Sequence, residues 1–196
     1  MIKLPKLSLS NLGTGMMFVF LILLIFSPDT KAFFIEGLMK VGLFQPNDNT
    51  DSKLVKTTDN FSGVQFKDGS GKIVQLAQFK GKVIFINFWA TWCPPCRAEM
   101  PSLQNLYLKF KDNKNIVVLM VDMDDNYLKA KEFMDRKKFS LPVFTPASSI
   151  PESLFSGSLP TTVVLNKKGQ IIFRHEGAGD FSNKKFNEFL TNLSNE

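Results

Sequence analysis

Two side chains in this sequence are suited to do chemistry together: Cys93 and Cys96, the only cysteines, in Trp92-Cys93-Pro94-Pro95-Cys96. Three chemistries suit such a pair. A structural disulfide would close a loop so short that it restrains little unfolded chain, about 2 kcal/mol by loop entropy. A chain with room for a large core has small need of that. A zinc site needs four ligands, and the single histidine, His175, lies 79 positions beyond Cys96. Redox exchange fits better. At a helix start, free N–H groups and the macrodipole stabilise a thiolate on the first cysteine. Cys93 is then expected to attack a substrate disulfide, and Cys96, one turn further in, to resolve the mixed disulfide. Pro94 and Pro95 suit the first helical positions, but each removes an N–H that could have supported the thiolate. A weakly stabilised thiolate belongs to a reductant rather than a strong oxidant. Neither a metal nor a cofactor is called for.

The elements needed to hold such a pair are legible around it. Val83–Trp89 is an almost unbroken apolar run, as in a strand buried on both faces. A helix is expected from Cys93–Pro95 to about Lys111, with Leu103, Leu106, Leu108 and Phe110 facing inward and Pro101 kinking it. Ile116–Asp122 predicts a second buried strand, and Asn126–Lys137 a helix with Leu128, Ala130, Phe133 and Met134 as its apolar members. Thr161–Leu165 and Gln170–Arg174 read as strands joined by the turn Asn166–Gly169. Phe181–Leu193 reads as a closing helix with Phe186, Phe189, Leu190 and Leu193 at helical spacing. Ahead of these, Val64–Phe66 and Ile73–Leu76 flank Asp68-Gly69-Ser70-Gly71, a hairpin pattern. The expected architecture is α/β, with a mixed central sheet flanked by helices and an N-terminal β-hairpin.

The 196 residues allow one such domain plus an appendage. The net charge of +6 is spread along the chain with no basic stripe interleaved with aromatics, which excludes nucleic acid as a partner. Lys3 and Lys6 precede the apolar run Met16–Phe26, which reaches 20 positions when extended back to Leu7. A transmembrane anchor and a signal sequence both fit; Pro28, Asp29 and Lys31 make a poor cleavage setting and favour the anchor. Either way the basic N-terminus stays in the cytoplasm and the rest lies outside it. The expected organisation is a cytoplasmic N-terminus over 1–11, an anchor or signal sequence over 12–27, an amphipathic connector and linker over 28–58, and the catalytic domain over 59–196. Within the connector, Ala32–Phe44 is apolar but broken by Glu36 and Lys40, as in a helix lying on the membrane or packed on the domain. Gln45–Thr58 is polar and reads as linker.

Asn87-Phe88-Trp89-Ala90-Thr91-Trp92-Cys93-Pro94-Pro95-Cys96-Arg97-Ala98-Glu99-Met100-Pro101, together with Leu159-Pro160-Thr161-Thr162-Val163-Val164-Leu165-Asn166, resembles the signature of TlpA-like thiol–disulfide oxidoreductases over about residues 59–194. The resemblance implies a thioredoxin-like fold. It also implies a single-pass protein of the inner membrane whose periplasmic domain reduces protein disulfides, as in cytochrome c maturation, using a membrane thiol donor. It makes Pro160 a cis-proline lying against the CxxC, with Leu159 offering backbone groups to the substrate. Trp92, Pro94 and Pro95 complete the expected substrate surface. It makes Glu99, three residues after Cys96, a buried acid of raised pKa that serves the resolving thiol. Thioredoxin itself keeps an aspartate where this chain has Asn87, which cannot titrate; that departure places more weight on Glu99.

Other residues carry blander readings. Trp89 is expected in the core and His175 on the surface. Asp122, Asp124 and Asp125 invite a metal reading, but a solvated strand–helix loop with an N-cap explains them. A rival function is Cu(I) carriage by the reduced cysteine pair, since soft thiolates suit that ion.

Overall fold

The computed structural model describes residues 9–43 and 61–196. The expected linker Gln45–Thr58, the boundary at Asp59, and Lys3 and Lys6 lie outside the described residues.

Seven strands form one sheet: β1 (Gln65–Lys67), β2 (Ile73–Gln75), β3 (Val83–Trp89), β4 (Ile116–Asp122), β5 (Val143–Pro146), β6 (Thr161–Leu165) and β7 (Ile171–Glu176). Their order is β2-β1-β5-β4-β3-β6-β7. β3 runs parallel to β4, from Val83 opposite Ile116 to Trp89 opposite Asp122, and β4 parallel to β5. β6 and β7 add antiparallel on the other side, and the β1–β2 hairpin closes the far edge. The sheet is therefore mixed, as expected.

β3 is buried along its whole length because its side chains feed two cores. Val83, Phe85 and Trp89 join a cluster with Met100, Leu103, Leu106, Phe133, Met134, Phe186 and Leu190, whereas Ile84, Ile86 and Phe88 face Phe61, Phe66, Leu76 and Leu154. Each such side chain contributes about 1.5–3 kcal/mol relative to exposure. The helices α3 (Pro94–Phe110), α4 (Tyr127–Lys137) and α5 (Lys184–Asn195) supply the first cluster. No α-helical residue among those described belongs to the second, so the helices do not flank the sheet evenly.

Four local readings need correction. Leu108 is 48% exposed and Leu128 80% exposed, because Leu103, Leu106 and Phe110, and Ala130, Phe133 and Met134, already fill the inward stripe of each helix. α5 begins three residues later than expected. Asp180 ties up Ser182 through its N–H and hydroxyl, and Asn183 caps Phe186 N at 2.9 Å. Phe181 lies ahead of the helix, edge-on to Phe85 at 5.7 Å between centroids. β5 was not anticipated: four residues between Pro142 and Ala147 give too short a pattern to stand out.

At the N-terminus, α1 (Leu9–Phe26) and α2 (Pro28–Lys40) are separated only by Ser27. Ser27 caps α2 by accepting from Thr30 N, with Pro28 at the first helical position. Among the described residues no single helix is both long and apolar enough to cross a membrane. Gly13–Leu23 and Pro28–Met39 meet that test together, bent by 100° at the break. α2 lies along α3: Ala32 and Met39 bury against Ala98 and Ala178, and Asp29 pairs with Arg97 and with Lys137, the latter at 2.9 Å. One side of the connector helix is thus packed on the domain, one of the two settings expected for it.

Candidate active site

β3 ends at Trp89, the chain turns through Ala90–Trp92, and Cys93 caps α3. Its backbone is extended (φ −82°, ψ 108°), the geometry that lets an N-cap side chain reach back over the first turn. Pro94 and Pro95 occupy the next positions and have no N–H to give. Cys96 N supplies the first amide of the helix, pointing at Cys93 Sγ at 3.2 Å. The predicted loss of support is thus partial: one helix-start N–H still serves the sulfur. Cys93 and Cys96 form a disulfide, their Cα atoms 5.3 Å apart. Cys93 keeps 3% of its surface and Cys96 none, so of the two, Cys93 is the one an incoming sulfur can approach.

Glu99, one turn beyond Cys96, is fully buried. Asn87 on β3 donates through Nδ2 to Glu99 Oε1 at 2.7 Å, and Gly179 N donates to Oε2 at 3.2 Å. Asn87 Nδ2 also reaches Thr162 Oγ1 on β6 at 3.0 Å. Ser102 fixes the Gly179 loop over α3, donating to Glu99 O at 2.8 Å and accepting from Phe181 N at 3.3 Å. Burial without a countercharge pushes the Glu99 carboxyl up to about 8, against the smaller pull of the Asn87 and Gly179 bonds. Asn87, which the sequence marked only as unable to titrate, is thus a direct partner of the acid.

Asp124 emerges as a site residue that sequence reasoning assigned to a solvated loop. Its Oδ2 accepts from Thr91 N at 3.1 Å and Thr91 Oγ1 at 2.7 Å, and its Oδ1 from Trp92 Nε1. It therefore ties the β4–α4 loop to the two residues that precede Cys93. The register carries the signal that could have found it: β3 and β4 are parallel and end level, so the loops after them must lie side by side. Asp122 is also not solvated. It is fully buried, its carboxyl raised to about 6 chiefly by burial and also by neighbouring Asp124, against bonds from Asn126 N and Asp124 N. The N-cap of α4 is Asn126, accepting from Lys129 N at 3.1 Å. Among the described residues no three His, Cys, Asp or Glu side chains gather as a metal site.

The Leu159–Pro160 bond is cis and Pro160 is buried. Thr161, the next residue, pairs with Phe88, so Leu159 and Pro160 stand at the end of β3 from which the CxxC loop departs. Leu159 is half-buried between the two cores. Trp92 is 59% exposed, Pro94 and Pro95 are half-exposed, and Trp89 is fully buried with no partner for its Nε1 among the described residues. The expected substrate surface is therefore gathered at one end of the sheet. His175 departs from expectation: it is half-buried, stacked on Phe173 at 6.4 Å and edge-on to Phe181 at 6.2 Å.

A dithiol–disulfide pair at a helix start can exchange electrons with the thiols and disulfides of another molecule. Comparison with known proteins settles the kinship. The Redoxin family model matches residues 50–190. The chain is a member of that family. It is 30% identical over 135 residues to the thiol–disulfide oxidoreductase ResA of Halalkalibacterium halodurans, covering 68% of this chain and 76% of that protein. It is 34% identical over 130 residues to ResA of Oceanobacillus iheyensis, covering 64% and 67%. The thioredoxin domain of a Bacteroides vulgatus thiol–disulfide oxidoreductase has the same fold: TM-score 0.53 at 22% identity, over 67% of this chain and 96% of that one. This Redoxin-family chain is a thioredoxin-like thiol–disulfide oxidoreductase.

Proposed function

We propose that Cys93 is the attacking nucleophile, Cys96 the resolving thiol and Glu99 its proton acceptor, and that the chain works as a protein-disulfide reductase. In the reduced protein the Cys93 thiolate attacks one sulfur of a substrate disulfide, forming a mixed disulfide and releasing the other sulfur as a thiolate. The Cys96 thiol gives its proton to Glu99 and attacks Cys93 Sγ. A Cys93–Cys96 bond forms, the mixed disulfide breaks, and the substrate leaves with two more electrons. A dithiol donor restores the pair by the reverse steps.

Glu99 carries this reading. A carboxyl with a pKa of about 8, sealed among Asn87, Gly179 and the core, holds or gives a proton near neutrality, which an ordinary surface glutamate does not. Asn87 suits both states. Its Nδ2 donates to the carboxylate, and its Oδ1, unpartnered among the described residues in the present orientation, accepts from the acid if the amide turns over. Trp92, Pro94, Pro95, Leu159 and Pro160 form the surface on which the substrate strand rests. The likeness to ResA supports extracytoplasmic proteins with oxidised cysteines as substrates, apocytochrome c among them, and a membrane thiol donor. The apolar α1 supports an anchor over 12–27 with the domain of 59–196 on the periplasmic side of the inner membrane.

Reduction of insulin by the full chain, fed by a small dithiol, tests the reading. Turnover that is lost on Cys93→Ser supports it. Stoichiometric Cu(I) binding by the reduced pair with no turnover would replace it with the copper-carrier reading.

A further inference from the structure

α2 has two apolar sides, and only one is covered. Ala32, Ile35 and Met39 lie along the side that packs on Ala98 and Ala178. At about 100° per residue, Phe33, Phe34 and Gly37 fall on the opposite side, with Val41 continuing it at the C-cap. There Phe33 is 75% exposed, Phe34 50% and Val41 74%, and Leu43, two residues further in the turn that follows, is 66% exposed. Single exposed apolar side chains are ordinary, but two rings and two aliphatic groups within one short stretch are a patch that wants a partner.

The preceding helix says what that partner is. The described apolar side chains of α1 are exposed, among them Met16 at 68%, Phe18 at 58% and Ile25 at 63%, and only Ser27 separates the helix from α2. The two axes meet at 100°. If α1 follows the membrane normal, α2 leaves it almost in the membrane plane, at the depth where hydrocarbon gives way to headgroups. The elbow is braced rather than loose: Ser27 N bonds Leu23 O at 2.9 Å, Lys31 N bonds Ser27 O at 3.2 Å, and Ser27 Oγ caps Thr30 N. Across the helix, Asp29 grips Arg97, the residue after Cys96, and Lys137.

Building on the reading of α1 as an anchor, we infer that α2 is an interfacial strut: Phe33, Phe34, Val41 and Leu43 sit in a lipid bilayer surface while the opposite side holds the catalytic domain by α3. An apolar helix face lodges about 5–10 Å into the headgroup–acyl boundary. The domain is then held over the bilayer in one pose, with the helix that carries the redox pair riding directly on the strut. That arrangement suits exchange with a donor embedded in the same membrane.

The test uses the full chain in vesicles of phosphatidylcholine and phosphatidylglycerol, with Cys93→Ser and Cys96→Ser removing the native thiols. Single cysteines replace Phe33, Phe34 or Val41, with Phe20→Cys as an anchor control and Leu128→Cys as a control on the exposed face of α4. Each carries an environment-sensitive fluorophore, and lipids bearing a nitroxide near the headgroup or deep in the acyl chain serve as quenchers. Labels at 33, 34 and 41 should lose emission to the shallow quencher, the label at 20 to the deep one, and the label at 128 to neither. Quenching at 20 without quenching at 33, 34 and 41 overturns the strut while leaving the anchor. No quenching at 20 refutes the anchor and the strut with it. Labels on α2 shielded from water but close to labels on another copy, and untouched by lipid quenchers, overturn the proposal in favour of self-association.

Discussion

Glu99 lies one turn beyond Cys96 in α3 and Asp124 is bonded to Thr91 and Trp92 just ahead of Cys93, and the surroundings of these two carboxyl groups differ in nearly every respect. Glu99 is sealed from water, takes one bond from the Asn87 amide and one from Gly179 N, and is lifted to about 8 by burial. Asp124 lies in a half-exposed loop and accepts three bonds, all from Thr91 and Trp92. A carboxyl starved of water and countercharge becomes a proton store. One supplied with donors becomes a clasp for the chain that supplies them. In the proposed mechanism the same functional group thus takes on two duties through its surroundings, one serving the Cys96 proton and one the chain before Cys93.

The strongest way to break that contrast is Glu99→Gln, which keeps shape and removes the proton. Turnover should fall roughly 100-fold, the low end of acid–base contributions, and the rise in rate as pH passes through about 8 should disappear. Steady-state rates between acid and mildly alkaline pH decide it; an unchanged profile would make Glu99 structural. Asp124→Asn should behave oppositely, with a loss of less than about tenfold and the inflection near 8 intact. Should Asp124→Asn erase the inflection, the two duties have been assigned the wrong way round.

Stability sharpens the contrast next. The folded-state value of Glu99 is raised above its unfolded one of 4.5, so its favourable contribution is complete below 4.5 and is lost as pH rises toward about 8. Gln cannot titrate. Glu99→Gln should therefore gain on the wild type between those values, by roughly 2 kcal/mol at neutral pH after the weakened Gly179 bond is counted, and gain nothing at pH 4. Denaturant melts at the two pH values measure the difference; an equal effect at both would show that Glu99 does not keep its proton on folding. Asp124→Ala should cost about 1 kcal/mol, since its bonds are local and partly wet. The smallest effect expected is optical. Trp92, exposed beside Cys93 and held by Asp124, should change its emission when the disulfide is reduced, and lose most of that response in Asp124→Ala.

Much of this was legible in the sequence because burial and periodicity are local signals. The unbroken apolar run of β3, the hairpin around its Gly-rich turn and the helix opening at the cysteines required no knowledge of distant residues. Pro160 and Glu99 were legible only through resemblance, since a lone Leu-Pro-Thr and a lone glutamate in a first helical turn have ordinary explanations. What stayed hidden depends on residues far apart in the chain. Asn87 meets Glu99 across 12 positions and Asp124 meets Thr91 across 33. Gly179 N reaches Glu99 across 80. β5 finds its place between β1 and β4 through pairing rather than through its own four residues. Leu108 and Leu128 failed for a related reason: hydrophobicity alone does not say which side of a helix the core has already filled.

Capture of the mixed disulfide tests the redox role most directly. A Cys96→Ser variant, offered an oxidised protein substrate and read by intact-mass and peptide mass spectrometry, should accumulate a substrate disulfide on Cys93 that wild-type protein resolves. Absence of any adduct, or a Cys96 sulfur that reacts as readily as Cys93 in the complementary Cys93→Ser variant, contradicts the assignment of attacking and resolving roles.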